Sequence, residues 1–326
     1  MAILVTGGAG YIGSHMVLKL LEMGERVLVV DNLSTGRRAL VPPGAELHVG
    51  DIGDTALIAS LLKTGEVECV IHFAGSIVVP ESVTDPLAYY HNNTVKSRAL
   101  IEACIGGGVQ RFIFSSTAAV YGAPERVPVR ESDPLQPINP YGRSKLMTEW
   151  MLEDCGAAYG LNYIALRYFN VAGADPGGRS GQATPKATHL IKTACEVATG
   201  KRSQLSVFGT DYPTPDGTCV RDYIHVSDLA EAHAAALAYL RTGGTSGAFN
   251  CGYGRGYSVL EVIDALNRVV GRPIAVERAS RRAGDPPALV AGTEKIRQVF
   301  GWQPRYEDLD FIVRTALDWE RSLARL

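Results

Sequence analysis

Residues 5–15 read VTGGAGYIGSH and follow directly on the apolar run Ala2-Ile3-Leu4. Gly7, Gly10 and Gly13 stand in a GxxGxxG spacing at the point where a short apolar strand would give way to a helix. Glycines there permit a tight turn and let the backbone approach a pyrophosphate, which rests on the helix N-terminus. Eighteen residues beyond Gly13, at the end of a second apolar run (Val27–Val30), come Asp31 and Asn32. A carboxylate in that place accepts hydrogen bonds from both ribose hydroxyls and repels a 2′-phosphate, so NAD is expected rather than NADP. Glycine turns also join strands to helices where nothing binds. Here strand context, three glycines and the placed acid coincide, and cofactor binding is the stronger reading.

The runs Ile3–Val5, Val27–Val30, Glu46–Val49, Cys69–Phe73, Arg111–Ser115 and Tyr163–Tyr168 are short, apolar and rich in β-branched residues, as strands buried on both faces should be. Amphipathic stretches at Ser14–Met23, Thr55–Lys63, Asn93–Gly106 and Tyr141–Tyr159 alternate with them. Strand–helix alternation predicts an α/β fold: a Rossmann-like doubly wound parallel sheet built of right-handed crossovers. After Asn170 the texture changes. Residues 171–185, 209–218 and 278–292 read as loops, with helices expected near 188–199, 227–241, 258–270 and 308–323. The expected division is a dinucleotide-binding domain over 1–170 and a smaller, loop- and helix-dominated α/β substrate domain over 171–326. A return of parts of about 220–260 to the first sheet stays open.

The chain of 326 residues has 46% hydrophobic and 20% charged residues and a net charge of −2, an ordinary globular balance with no basic block for nucleic acid or membranes. Its six cysteines form no CxxC, which argues against a zinc knot and for reduced, mostly core thiols. No metal is expected. No run reaches the roughly 18 apolar residues of a membrane span, and the start lacks a signal-peptide pattern. The expected compartment is the cytoplasm.

Asp51-Ile52 after the third strand reads as an adenine-binding pair. His72-Phe73-Ala74-Gly75 ends the fourth, with small residues that admit the cofactor and with His72 as a core histidine. Phe114-Ser115-Ser116-Thr117 ends the fifth, at the carboxyl edge where parallel sheets bind ligands. Further on, Asn139 and Pro140 suit an N-cap and a first helical turn. Tyr141 and Lys145 then stack at i and i+4. An ammonium beside a phenol, together with an oxidised nicotinamide, is expected to lower the phenol from its usual value near 10. Tyr141 would then remove a proton from a secondary alcohol as hydride leaves its carbon. Lys145 would hold the nicotinamide ribose, and Thr117 would orient the alcohol.

On these stretches, and on YYHNN (89–93), NPYGRSKLMTE (139–149), LRYFNVAGA (166–174), VFGTDYPTPDGTCVRDYIHVSDLA (207–230) and RRAGDPPA (281–288), the chain resembles the extended short-chain dehydrogenase/reductase family. Within it, the likeness is to the UDP-glucose/UDP-galactose 4-epimerase branch, and it runs along essentially the whole chain. The resemblance implies an isomerase that interconverts UDP-galactose and UDP-glucose through a transient 4-keto sugar, with NAD regenerated each cycle. It implies catalytic Tyr141, Lys145 and Thr117. It implies a cofactor set of Gly7, Gly10, Tyr11, Ile12, Gly13, Asp31, Asn32, Asp51, Ile52, Phe73, Ala74, Gly75, Asn92, Ser115, Tyr141, Lys145 and Tyr168. For the UDP-sugar it implies Thr117, Asn170, His189, Leu190, Phe208, Arg221, Arg282, Asp285 and Leu289. Arg221 and Arg282 match pyrophosphate contacts, and Leu190 and Phe208 match the uridine pocket. A homodimer through 93–106 and 141–159 is implied as well.

Two departures stand out. Ile77 replaces a lysine frequent in the branch, and Thr117 replaces a serine while keeping the hydroxyl. Leu289 stands where residue size gates sugar bulk, and leucine leaves N-acetylated and pentose UDP-sugars open. A nucleotide-sugar dehydratase would need an Asp–Glu pair where this chain has Ala118-Ala119. A dehydrogenase releasing NADH, or a non-catalytic NAD sensor, fits less well with the C-terminal stretches and with the complete Thr117/Tyr141/Lys145 set.

Overall fold

The computed structural model describes residues 1–184, 187–282 and 284–323. Its first strand, β1 (Ala2–Thr6), is buried along its whole length. Successive side chains point to opposite faces of a strand, and here both faces are covered. Ile3 and Val5 join one hydrophobic cluster, while Leu4 joins another on the far side. The same alternation divides Val27 and Val29 from Leu28 and Val30 in β2 (Arg26–Asp31). With β3 (Glu46–Val49), β4 (Val67–His72), β5 (Arg111–Thr117) and β6 (Asn162–Tyr168) these strands pair in parallel in the order β3-β2-β1-β4-β5-β6. The order reverses between β1 and β4, which opens a crevice at the carboxyl ends of those strands.

The crossover helices are α1 (Tyr11–Glu22), α2 (Thr55–Gly65), the short α3 (Val79–Thr84) and α4 (Pro86–Tyr89), α5 (Lys96–Gly106) and α6 (Pro140–Tyr159). Local chemistry sets their ends. Asp54 accepts from Leu57 N and starts α2, and Asn139 accepts from Gly142 N and starts α6 with Pro140 in its first turn. Gly160, at φ 73°, ends α6 in the left-handed conformation. The helix expected from Asn93 begins instead with a π-helical turn over Tyr90–Val95. The buried Asn93 within it donates to the Ser76 carbonyl and to Ser144 Oγ, and accepts from Ser76 N. Such bulges often mark functional sites.

Beyond β6, the expected loops and helices are interleaved with more strand than the sequence suggested. β7 (Asn170–Ala172), α7 (Leu190–Ala198), β8 (Leu205–Phe208), β9 (Val220–His225) and α8 (Val226–Arg241) lead to β10 (Gly247–Cys251), which lies parallel to β6 as a seventh strand of the main sheet. Then come β11 (Gly256–Ser258), α9 (Val259–Val270), β12 (Val276–Ala279), β13 (Ala288–Leu289), α10 (Glu294–Phe300) and α11 (Leu309–Ser322). β9 collects β7, β11 and β13 into a small sheet, and β8 pairs with β12. Strands of two to four residues are too short to show a period of two, which is why they read as loop. Among the described residues no helix is long and apolar enough to cross a membrane.

Candidate active site

The glycine turn is built too tightly for side chains. Gly7 has φ +72°, and a Cβ on it would lie 2.7 Å from Ala74 N; a Cβ on Gly13 would lie 2.2 Å from Gly7 O. The turn therefore presents bare backbone to the start of α1. Asp31 is buried behind it, accepting from Ala9 N at 3.0 Å and Leu33 N at 2.8 Å. A carboxylate has about four lone-pair sites, so two remain for ribose hydroxyls. Burial pushes the Asp51 carboxyl up, but Lys96 at 2.6 Å, Gly53 N and Asn32 outweigh it and hold the carboxyl below its usual range. Lys96 had no signal in the sequence, because its only partner lies 45 residues away. His72 is the core histidine expected. Its two ring nitrogens meet Thr6 Oγ1 and Ser97 Oγ, and burial lowers it to about 3.

From this turn a cleft of about 720 Å³ runs across the carboxyl edge of the sheet to the small sheet around β9, within the usual range for ligand sites. Gly7, Gly10, Tyr11, Ile12, Gly13, Asp31, Asn32, Asp51 and Ile52 line one end. Phe73, Ala74, Gly75, Asn92, Ser115, Thr117, Tyr141 and Tyr168 line the middle. Asn170, His189, Arg221, Asp285 and Leu289 line the far end. The cradle of glycines, the free lone pairs of Asp31 and the length of the cleft fit a dinucleotide followed by a second ligand. Among the described residues no group of three or more His, Cys, Asp and Glu could hold a metal ion.

Lys145 lies just beneath the wall. Its ammonium donates to the Ser115 carbonyl at 2.8 Å and sits 4.9 Å from the centre of the Phe114 ring. Gly75 faces Lys145 and Asn93: a Cβ on it would lie 3.1 Å from Asn93 Oδ1 and 3.6 Å from Lys145 Nζ. Burial lowers the Lys145 ammonium to about 8, against the opposing charge of Glu149. Burial raises the Tyr141 phenol, and the Thr117 hydroxyl opposes this. The expected lowering involves the oxidised nicotinamide as well as the Lys145 ammonium. The Thr117 oxygen accepts from Ala119 N at 3.1 Å, and its hydroxyl faces the Tyr141 phenol. The Tyr168 hydroxyl is held by His233 Nε2 at 2.7 Å, so this residue meets the cleft with its ring.

At the far end Asn170 opens β7, and His189 caps α7 with its Nδ1 on the Gln182 amide at 2.9 Å. Arg221 donates to the Val220 carbonyl at 2.9 Å and pairs loosely with Asp285 at 3.7 Å. Leu289 is buried with Val120, Tyr121, Leu146 and Phe169. Three expected residues stand apart from the main cleft. Leu190 lines a small neighbouring pocket with Asn170, His189 and Trp319. Arg282 sits over Phe208, with its guanidinium carbon 3.8 Å from the ring centre. Gln182 and Asn93 were not singled out from the sequence: Asn93 ends the YYHNN stretch without a role of its own, and Gln182 lies in the loop 171–185.

A doubly wound parallel sheet with a glycine cradle at its switch point and a Tyr–Lys pair one turn apart on the adjoining helix defines a short-chain dehydrogenase/reductase-type protein. The chain belongs to the NAD dependent epimerase/dehydratase family, whose model matches residues 3–252. It is 60% identical over 321 residues to a UDP-glucose 4-epimerase of Azospirillum brasilense, covering 98% of this chain and 92% of that one. Its fold is similar to the crystal structure of UDP-glucose 4-epimerase from Brucella ovis in complex with NAD, at 47% identity and TM-score 0.94, covering 97% of each chain. It is also similar to the UDP-Glc/GlcNAc 4-epimerase of Campylobacter jejuni, at 49% identity and TM-score 0.86, covering 98% of this chain and 99% of the other.

Proposed function

We propose that this chain is an NAD-dependent isomerase that interconverts UDP-galactose and UDP-glucose by inverting carbon 4 of the sugar. The observation that carries the reading is the single cleft joining the glycine cradle, the Thr117/Tyr141 pair over Lys145, and Arg221 with Asp285. When bound, NAD supplies a hydride acceptor at carbon 4 and a positive ring charge beside the phenol. The residues of the chain do the rest. Thr117 donates to the 4-oxygen and aims its proton at Tyr141. Tyr141 takes that proton as the sugar becomes a 4-ketone. Lys145, fixed by the Ser115 carbonyl, holds the nicotinamide ribose and favours the phenolate. Arg221 and Arg282 grip the pyrophosphate with fixed forks, while the sugar turns between Leu289 and Thr117. Tyr141 then returns the proton to the opposite epimer. Asn170, His189, Leu190 and Phe208 complete the UDP site. The remaining cofactor residues are those at the cradle and along β2–β6 given above.

The proposed division is an NAD-binding domain over 1–170, joined by parts of 220–260, and a UDP-sugar-binding domain over 171–326. A homodimer through the segments 93–106 and 141–159 is proposed too; the exposed Trp150, Met147 and Val95 on and beside them support it. Six free cysteines support a reducing compartment, the cytoplasm. A second reading, a UDP-N-acetylhexosamine as an additional substrate, is supported by the likeness to the UDP-Glc/GlcNAc 4-epimerase of Campylobacter jejuni at 49% identity, with Leu289 on the cleft wall compatible with either sugar.

The test is a product assay. Purified protein incubated with UDP-galactose and no added NAD should yield UDP-glucose with no NADH absorbance. No product, even with NAD added, would overturn the substrate. A parallel run with UDP-N-acetylgalactosamine reads the second substrate, and sedimentation at micromolar concentration reads the dimer.

A further inference from the structure

Glu149 stands one turn beyond Lys145 on the α6 face that carries Tyr141 and Lys145, and it does not line the cleft. Its buried carboxylate accepts from Arg167 at 2.6 Å through Nη2 and at 3.1 and 3.2 Å through Nε. The Ser116 hydroxyl donates to the same carboxylate. Arg167 sends Nη1 to the Tyr121 hydroxyl at 2.9 Å, Tyr121 donates to Asn250 Oδ1 at 2.7 Å, and Asn250 donates to the Val129 carbonyl at 3.0 Å. The members border the site in sequence. Ser116 lies between Ser115, whose carbonyl holds Lys145, and Thr117; Arg167 immediately precedes Tyr168.

A buried ion pair is weak evidence for stability, because desolvation offsets most of the attraction. What this one brings to the place is charge. The other groups around Lys145 are uncharged: Phe114 and the Ser115 carbonyl from β5, Asn93 from the π-helical turn, and Tyr141 on its own helix. His72 on β4 and Tyr168 on β6 are neutral through the physiological range. Glu81 and Tyr89, on α3 and α4, are bonded to each other, with Tyr89 on the side of Tyr141. Arg167 lies behind Glu149. Glu149 is the carboxylate one turn from Lys145 on the same helix face, and its charge opposes the lowering of the lysine by burial.

We propose that Glu149 is a positioning residue for Lys145: Ser116 and Arg167 fix its carboxylate one turn beyond the lysine on the same helix face, where it steadies the Lys145 side chain. This deepens the epimerase reading and rests on it for the meaning of Lys145. The holoprotein is labelled with lysine carrying 13C at Cε, and Lys145 is assigned by its loss in K145M. Its titration is followed by NMR in wild type, E149Q, R167M and E149Q/R167M. E149Q leaves Arg167 unpaired and should lower the Lys145 pKa by roughly one unit. R167M leaves Glu149 unpaired and should raise it. The double variant, which removes both charges and protects against loss of the fold, should lower it by less than E149Q does. The alkaline limb of kcat against pH should move with the lysine, while KM stays unchanged. A purely structural pair would move both single variants in the same direction. That result, or an identical Lys145 titration in all proteins, would overturn the proposal. Absence of epimerisation by the wild type would sink the epimerase reading instead, while the titration still decides the role of Glu149.

Discussion

The two ends of the cleft are built by different means. At the cofactor end each functional residue sits where a regular element starts or stops: Gly7 after β1, Asp31 ending β2, Thr117 ending β5, Tyr141 in the first turn of α6. Regular elements have known periods and known ends, so the position follows from the pattern. At the UDP end the residues come from strands of two to six residues and from loops, and they are held by one another. Arg282 rests on Phe208, Arg221 reaches Asp285, and His189 leans on Gln182. The first end is backbone geometry that tolerates no added atoms. The second is a set of side chains held in place by one another.

That contrast can be broken by substitution. The largest effect belongs to the residue between the two ends. Tyr141→Phe should reduce turnover by roughly 10³-fold or more, with NAD and UDP still bound; near-wild-type turnover would remove Tyr141 as the proton carrier. Next comes Gly13→Ala. Its methyl would fall 2.2 Å from Gly7 O, and overpacking of this kind costs roughly 1–3 kcal/mol. NAD content on purification should drop by about tenfold or more, while UDP affinity holds; full NAD retention would contradict a rigid cradle. At the UDP end Arg282→Ala should raise KM for UDP-sugars by about tenfold through a lost charge-assisted bond, with kcat little changed. An unchanged KM would mean that Arg282 stays on Phe208 in the complex.

The smallest effect is a dependence of stability on pH. Burial holds His72 at about 3 and His233 at about 4, both below the ordinary 6.5, and both pack under the cofactor end. A group with a lowered folded value contributes stability that is complete above 6.5 and is lost as pH falls towards 3 to 4. The Tm should therefore fall by several degrees between pH 7 and pH 5. His72→Gln, which keeps an amide for Thr6 and Ser97, should reduce that slope. A Tm flat over that range would show that these rings are not neutral in the folded protein.

The same contrast explains what was legible in the sequence. VTGGAGYIGSH, the acid at Asp31 and the Tyr141/Lys145 spacing located the glycine turn after β1, the end of β2 and the start of α6, all bordering one cleft, from one dimension of information. The small sheet around β9 was not legible, because β7, β11 and β13 are two or three residues long and are strands only through their neighbours. Lys96 on Asp51 and Arg167 on Glu149 were invisible for the same reason: each is a contact across the fold. For Tyr141, spacing reports proximity to Lys145 and says nothing of burial, which raises the phenol.

The central claim is that hydrogen leaves and returns to carbon 4 as a hydride kept within one cleft, with only the hydroxyl proton passing through Tyr141. UDP-galactose is taken to equilibrium by the purified protein in D2O, and carbon 4 of the UDP-glucose formed is read by NMR. Full retention of protium at carbon 4 is the predicted result. Deuterium at carbon 4 would show exchange with solvent and contradict the account.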